Sequence, residues 1–285
     1  MFKNLNTAAL GHAIPFDQAC ALARQHGFAG VDLDLDYLMK MAEAQSLEAV
    51  REWFAQTGLL AGGIGLSARW REGESDAAFE ASLVRLAHEA HLAAALGCTR
   101  CITWVLPGSG ALDFYRNWDF TVARLQRVAA ILAEHGLRLG LEFIGPLTLR
   151  TRFKHDFVHT LDGMRGLAAA VGAHTHNTGL LLDCFHWYTA HASLRDLEFL
   201  HPREVVYVHV NDATAGRSAD EQIDGERQMV GASGVIDIRG FLAALRKIGY
   251  DGPLTVEPFN QQIRSMPVEE AVRATSEALD RVLGD

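Results

Sequence analysis

The stretch Phe120-Thr-Val-Ala-Arg-Leu-Gln-Arg-Val-Ala-Ala-Ile-Leu-Ala-Glu-His135, then Gly136, then Leu137-Arg-Leu-Gly-Leu-Glu-Phe143, decides the fold. Its first part is an amphipathic helical pattern over Phe120–His135, and its last part a short apolar strand over Arg138–Phe143. The glycine between them marks the left-handed cap with which a helix turns back toward a sheet. The same junction recurs at His26-Gly27, Thr57-Gly58, Leu96-Gly97 and Ile248-Gly249.

Working outward from this unit, strands are expected near Lys3–Ala8, Gly30–Leu33, Leu60–Gly65, Arg100–Thr103, Arg138–Phe143, Gly179–Asp183, Val205–Val210 and Leu254–Glu257. Helical patterns lie between them at Phe16–His26, Leu47–Thr57, Asp76–Leu96, Phe120–His135, His159–Val171, Leu194–Leu200, Ile238–Ile248 and Val268–Leu283. Eight units in 285 residues average about 36 residues each, the size of a βα unit. Alternating units of this kind imply a parallel sheet, and eight of them imply an α/β fold closed into one (β/α)8 barrel domain over residues 1–285. The rival, an open doubly wound sheet, usually carries a glycine-rich phosphate loop, and neither G-x-G-x-x-G nor G-x-x-x-x-G-K-[ST] occurs. The Gly62-Gly63-Ile-Gly65 cluster reads instead as the third strand making a close backbone approach.

Composition narrows the function classes. Hydrophobic residues at 49% with charged residues at 21% describe a soluble globular chain with material for a large core. A net charge of −9 argues against nucleic acid and against an anionic membrane surface as partners, because both need a basic face. No secretory signal opens the sequence, and no stretch approaches the ~18 apolar residues of a membrane span, so a cytoplasmic protein is expected. The four cysteines are too few and too scattered for a disulfide framework. Cys98 and Cys101 form a C-x-x-C, but they open a buried strand and have no second pair, which favours core packing over a redox or zinc role.

A barrel places its chemistry at the C-terminal ends of the strands. Strand five ends in Glu142, strand six in Asp183, strand seven carries His209, and strand eight ends in Glu257. Three carboxylates on one rim repel one another unless a cation or shared protons compensate. A divalent metal is the simplest compensation, and three oxygens with one imidazole suit Mn²⁺ best, with Mg²⁺, Co²⁺ or Zn²⁺ as alternatives.

These residues also carry a resemblance. The pieces Leu141-Glu-Phe-Ile-Gly145, Leu182-Asp-Cys-Phe-His186, His209-Val-Asn-Asp212, Gly231-Ala-Ser-Gly-Val-Ile-Asp237 and Val256-Glu-Pro-Phe259 resemble the xylose-isomerase-like sugar isomerase/epimerase superfamily. Within it the chain is similar to ketose 3-epimerases and, more closely, to 2-keto-myo-inositol (inosose) isomerases. The C-terminal half matches densely; the N-terminal half matches in architecture and in Asn6 at the end of strand one.

The resemblance implies metal ligation by Glu142, Asp183, His209 and Glu257, with the two glutamates doubling as the acid and base. It implies substrate contacts from His186 and Arg227, with Arg217 competing for the arginine's place. Asn6 and Trp104 complete the expected substrate-binding set, Trp104 as an aromatic wall; Trp70 and Trp187 read either as further walls or as core. The expected substrate is a keto-sugar or keto-cyclitol, and pairing of barrels into a homodimer is expected by analogy. One departure stands out: some epimerases carry a second acid where this chain has Thr148, and the following Arg150-Thr-Arg-Phe-Lys154 is basic, suiting either an anionic substrate group or a solvated loop.

The same constellation serves several reactions. Two carboxylates can remove and return an α-proton while a metal accepts the charge on the neighbouring oxygens. Expulsion of a β-hydroxyl would make the enzyme an inosose-type dehydratase, and cleavage of a C-glycoside would make it another kind of lyase. The endonuclease IV branch, a DNA-repair hydrolase, needs more ligands on earlier strands and a basic DNA face, so it ranks last.

Overall fold

The computed structural model describes residues 1–284. Eight parallel strands close on themselves: β1 (Phe2–Leu5), β2 (Gly30–Val31), β3 (broken into Leu60–Ala61 and Ile64–Gly65), β4 (Arg100–Val105), β5 (Arg138–Phe143), β6 (Thr178–Asp183), β7 (Val205–Val210) and β8 (Pro253–Val256). The first piece of β3 pairs with β2 and the second with β4, while β8 pairs with both β7 and β1, so the sheet has no free edge. The fold is the TIM-type barrel expected from the sequence. Among the described residues, no helix is long and apolar enough to cross a membrane.

The break in β3 has a steric cause. A Cβ at Gly63 would stand 2.9 Å from the Tyr207 ring, and one at Gly62 would overlap the Asn4 amide. Glycines let the backbone pass these two side chains, which point into the barrel. The five glycines at helix ends all have left-handed φ of 69–84°, so each helix does stop where the sequence indicates.

The helices are α1 (Phe16–Gln25), α2 (Leu35–Ala44), α3 (Leu47–Thr57), α4 (Asp76–Ala95), α5 (Phe114–Glu134), α6 (Leu147–Arg150), α7 (Leu161–Val171), α8 (Cys184–Thr189), α9 (Leu194–Glu198), α10 (Ile238–Lys247), α11 (Gln261–Ser265) and α12 (Val268–Leu283). Differences from the sequence reading cluster beyond the strand ends. Helix α2 was not anticipated: β2 stops at Val31, and Asp34 caps α2 by accepting from the Tyr37 N–H at 3.0 Å. Helix α5 begins at Phe114 rather than Phe120, because Asp113 supplies its cap. A two-stranded antiparallel ribbon, Gly108–Ser109 with His155–Asp156, joins the loops after β4 and β5.

All four cysteines are free and buried. The Cys98 thiol lies 3.4 Å from the Arg100 carbonyl, and burial pushes it up to about 12, which makes it an inert core residue rather than a redox group.

Candidate metal centre and active site

Glu142, Asp183 and His209 stand at or next to the last residues of β5, β6 and β7, and Glu257 is the first residue past β8. Strands β5 to β8 bring Glu142, Asp183, His209 and Glu257 together, with one ligand atom from each within 4.8 Å of the others. His209 Nδ1 faces all three carboxylates, 3.4 Å from Glu257 Oε2, 3.5 Å from Glu142 Oε1 and 3.8 Å from Asp183 Oδ2. Neither the Glu142 Oε1 atom nor either His209 nitrogen has a hydrogen-bond partner, although all are buried. Buried polar atoms are almost always paired, so atoms left bare in a shared focus are arranged for something not made of protein. Three hard oxygens and one imidazole fit a divalent cation.

The neighbours hold this geometry. Asp183 Oδ1 accepts from the Phe185 N–H at 2.6 Å, capping α8, and its Oδ2 accepts from Asn211 Nδ2 at 3.0 Å. The Asn211 amide oxygen accepts from the Glu257 N–H at 2.9 Å, so one buried amide ties the β6 ligand to the β8 ligand. Asp212 accepts from the backbone N–H groups of Ser233, Gly234 and Ile236, fixing the Gly231–Asp237 loop.

Arg227 enters from the long loop after β7 and is 1% exposed. Its Nη1 donates to Asp183 Oδ2 at 2.9 Å and Glu257 Oε2 at 2.8 Å, while Nη2 reaches Asp224 Oδ1 at 2.8 Å and His186 Nε2 at 2.9 Å. Arg217 pairs with Glu226 at 2.6 Å on the exposed part of that loop, so of the two candidate arginines Arg227 is the one in the cluster. His186 lies on the short helix α8, wholly buried; desolvation and the Arg227 charge hold it below the ordinary histidine range, and it stays neutral.

The two glutamates are pushed apart. Burial raises Glu142 to about 7, with the Glu257 and Asp183 charges adding to it against the pull of His209. Burial also works to raise Glu257, but the His209 and Arg227 cations outweigh it and bring the group to about 2. For His209, burial opposes the cation and Glu257 and Glu142 outweigh it, so its pKa rises well above 6.5.

Glu142, Glu257, Arg227 and Trp104 line one cavity of about 360 Å³. Asn6 is placed differently. Its Nδ2 donates to Asp32 at 2.9 Å, its Oδ1 accepts from the Ala9 N–H, and it borders a separate cavity of about 530 Å³ at the ends of β1 to β3. Trp70 and Trp187 are buried in the core. Arg150 is tied to the Gly145 carbonyl and to His159, and Arg152 to the Thr148 carbonyl, which gives that basic segment an intramolecular use. Sequence reasoning passed over Asp224, whose only signal was its position three residues before Arg227, and Asn211, which it quoted without assigning a role.

Residues 20–282 match the family described as Xylose isomerase-like TIM barrel. The chain belongs to this family. An inosose isomerase of Halalkalibacterium halodurans is 28% identical over 159 residues, 56% of this chain and 52% of that protein. An L-ribulose 3-epimerase of Methylomonas sp. (strain DH-1) is 26% identical over 167 residues, 59% of this chain and 50% of that protein. The matches span about half the length of these curated relatives. Among solved structures, a xylose isomerase domain protein from Alicyclobacillus acidocaldarius superposes with a TM-score of 0.87 at 30% identity, covering 99% of this chain and 98% of that one. Family membership thus agrees with the fold.

Proposed function

We propose that the protein is a divalent-metal-dependent isomerase or epimerase of a small keto-sugar or keto-cyclitol, working in the cytoplasm. The observation that carries this reading is the convergence of Glu142, Asp183, His209 and Glu257 on a point where Glu142 Oε1 and His209 Nδ1 are buried without a hydrogen-bond partner. The names of its relatives, inosose isomerase and L-ribulose 3-epimerase, support the substrate class.

Asp183 and His209 would hold the cation with the two glutamates; Mn²⁺ is the best match to the donor set, and Zn²⁺, Mg²⁺ or Co²⁺ are alternatives. When bound, the cation supplies Lewis acidity to the substrate oxygens, which makes the adjacent C–H acidic. The protein's own residues do the rest. Without the cation, burial raises Glu142 to about 7; as a ligand it would be a carboxylate able to accept the substrate's proton. Glu257, held ionised beside Arg227, is likewise a carboxylate; whichever of the two takes the α-proton, the other must carry a proton drawn from solvent before it can return one. Which one removes the proton depends on the configuration of the substrate carbon. Arg227, which lines the cavity, would orient the substrate's oxygens, and neutral His186, held between the Gly145 N–H and Arg227, would act through Arg227. Trp104 offers an aromatic face to the C–H side of the ring.

The test is proton exchange. Mn²⁺-loaded protein in D2O with ketohexoses, ketopentoses and inososes should incorporate deuterium at one α-carbon, read by NMR, and the product should be an epimer or isomer. Absence of uptake across the panel with metal demonstrably bound would overturn the reading.

A further inference from the structure

The loop after β3 carries a charged group that the acidic cluster does not use. Trp70 is 4% exposed, and the next residue, Arg71, is half-buried. The Arg71 guanidinium lies 4.9 Å from the centre of the Trp70 ring and 3.7 Å from that of the Trp104 ring. Its Nη2 donates to the Thr103 hydroxyl and the Trp104 carbonyl at 3.0 Å each, both uncharged acceptors. The acids that follow it are engaged elsewhere: Glu72 accepts from the Ser109 hydroxyl at 2.6 Å, Glu74 pairs with Arg69 at 2.7 Å and Asp76 with Arg124 at 2.6 Å. Among the described residues, no carboxylate pairs with Arg71. Burial lowers its guanidinium to about 10, so it keeps its charge at neutral pH.

Two donors on these neighbouring residues are left bare. Trp70 Nε1 and Arg71 Nε are buried with no hydrogen-bond partner, and both residues line one small cavity of about 40 Å³. Neither nitrogen can accept a hydrogen bond. The rest of the lining offers little in return: Val105, Leu106, Phe120 and Phe157 are apolar, the Asn117 amide oxygen already accepts from Thr121, and Glu72 is held by Ser109. A space of this size takes one or two water-sized groups, which excludes a sugar or a phosphate. A water accepting from both donors would still have two protons to place against mostly apolar walls, and the guanidinium charge would stay uncompensated. A monatomic anion asks for no acceptor and answers both the donors and the charge.

We propose that this cavity is a halide site, for chloride first, in which the Trp70 indole N–H and the Arg71 Nε–H hold the anion. The anion compensates the guanidinium and so keeps the Arg71 plane against the Trp104 ring, which lines the larger cavity beside Glu142 and Glu257. The site stands apart from the acidic cluster, and its existence does not depend on the reaction proposed above.

The experiment titrates protein in sodium gluconate with sodium chloride at constant ionic strength and reads the unfolding temperature, in Mn²⁺-loaded and chelator-treated samples alike. Chloride should raise it by about 5 °C at a hundredfold excess over Kd, and bromide should act in the same way. Trp70→Phe keeps a ring and removes the N–H; Arg71→Lys keeps the charge and removes Nε. Each should weaken halide binding at least about tenfold, and if one of the two does not fold the other carries the test. Anomalous scattering from crystals grown in bromide should place one ion in contact with both nitrogens. Absence of a chloride dependence overturns the site, as does a dependence that survives in a folded variant, or an ordered water in the cavity at high bromide. Bromide seen in the cavity with no thermal gain would be an adventitious ion only, and the proposal fails there too.

Discussion

Glu142, buried, and Asp32, half-buried, are acids near the same rim of the barrel, and they are kept in opposite ways. Asp32, just past β2, accepts from Asn4 Nδ2 at 2.8 Å, Asn6 Nδ2 at 2.9 Å and the Tyr207 hydroxyl at 2.8 Å. Its oxygens are thus fully occupied by protein donors; burial pushes it above the ordinary carboxylate range and these three donors pull it back. Glu142 has an imidazole at 3.5 Å, two further carboxylates close by, and an oxygen with no hydrogen-bond partner. Asp32, beside β2, has both oxygens met by protein donors, a structural arrangement, whereas Glu142, on β5, keeps one oxygen without a hydrogen-bond partner among neighbouring carboxylates, the arrangement a bound cation would need.

That contrast is sharpest in activity. Glu142→Gln and Glu257→Gln should each lower α-proton exchange by about 10²- to 10⁴-fold, because each removes a proton-transfer group. Metal content must be measured in parallel, since both belong to the proposed ligand set. Asp32→Asn should keep exchange within about tenfold and instead lose stability, about 1–3 kcal/mol, by turning one accepting oxygen into a donor that faces other donors. Substantial turnover in both glutamine variants, or an Asp32→Asn protein that is stable and inactive, would reverse the assignment of the two acids.

Next in size is the linkage among pH, metal and stability. Glu142, at about 7 against an ordinary 4.5, holds its proton more tightly folded than unfolded. Its contribution is therefore complete below 4.5 and is lost as pH rises toward 7. His209, raised above 6.5, contributes in the same sense and loses it as pH climbs through its folded value. Glu257, lowered to about 2, contributes above 4.5 and loses it only as pH falls toward 2. Chelator-treated protein should consequently melt lower at pH 8 than at pH 5.5. Metal binding needs the Glu142 carboxylate and neutral His209, so the thermal gain on adding Mn²⁺ should grow over the same interval. At a hundredfold excess over Kd the gain is about 2.7 kcal/mol, roughly 5 °C. A gain that shrinks with rising pH would break the comparison, because Glu142 would then be satisfied without metal, as Asp32 is.

The strands that carry these two acids also differed in how legible they were. Along β5 to β8, apolar strands such as Leu180-Leu-Leu-Asp183 end on one polar residue each, so position alone located the four residues that the fold brings together. Strand β2 has two residues, and Val31-Asp-Leu-Asp-Leu-Asp36 offers three acids in alternation. Only the fold shows that Asp32 faces the barrel, that Asp34 caps a helix and that Asp36 pairs with Arg85. Helix α2 was hidden for the same reason, since its cap looked like a strand end. The loop after β7 gave up Arg227 but not Asp224, because a partner three residues away on an irregular segment has no periodicity to mark it. Asn6 matched the expected motif, yet its amide is committed to Asp32 and to the Ala9 N–H, a commitment set by residues distant in sequence.

Asp224 gives the smallest and most discriminating effect. It touches none of the four ligands, and its carboxylate meets Arg227 Nη2 at 2.8 Å and stands 3.8 Å from His186 Nε2. The Arg227 charge outweighs burial and holds Asp224 below the ordinary carboxylate range, so it is ionised throughout the working range. Asp224→Asn keeps the shape and the hydrogen-bond acceptor and removes only the charge. Arg227 would then lean further toward Asp183 and Glu257, and its grip on the substrate's oxygens would loosen. KM should rise about three- to tenfold with kcat changed less than twofold, the pattern of a lost binding contact, and Mn²⁺ affinity should fall slightly as Arg227 competes harder for the ligands. If kcat falls with KM unchanged, Asp224 acts on the chemical step through His186, and the line between ligand-holding and substrate-holding residues must be redrawn to include it.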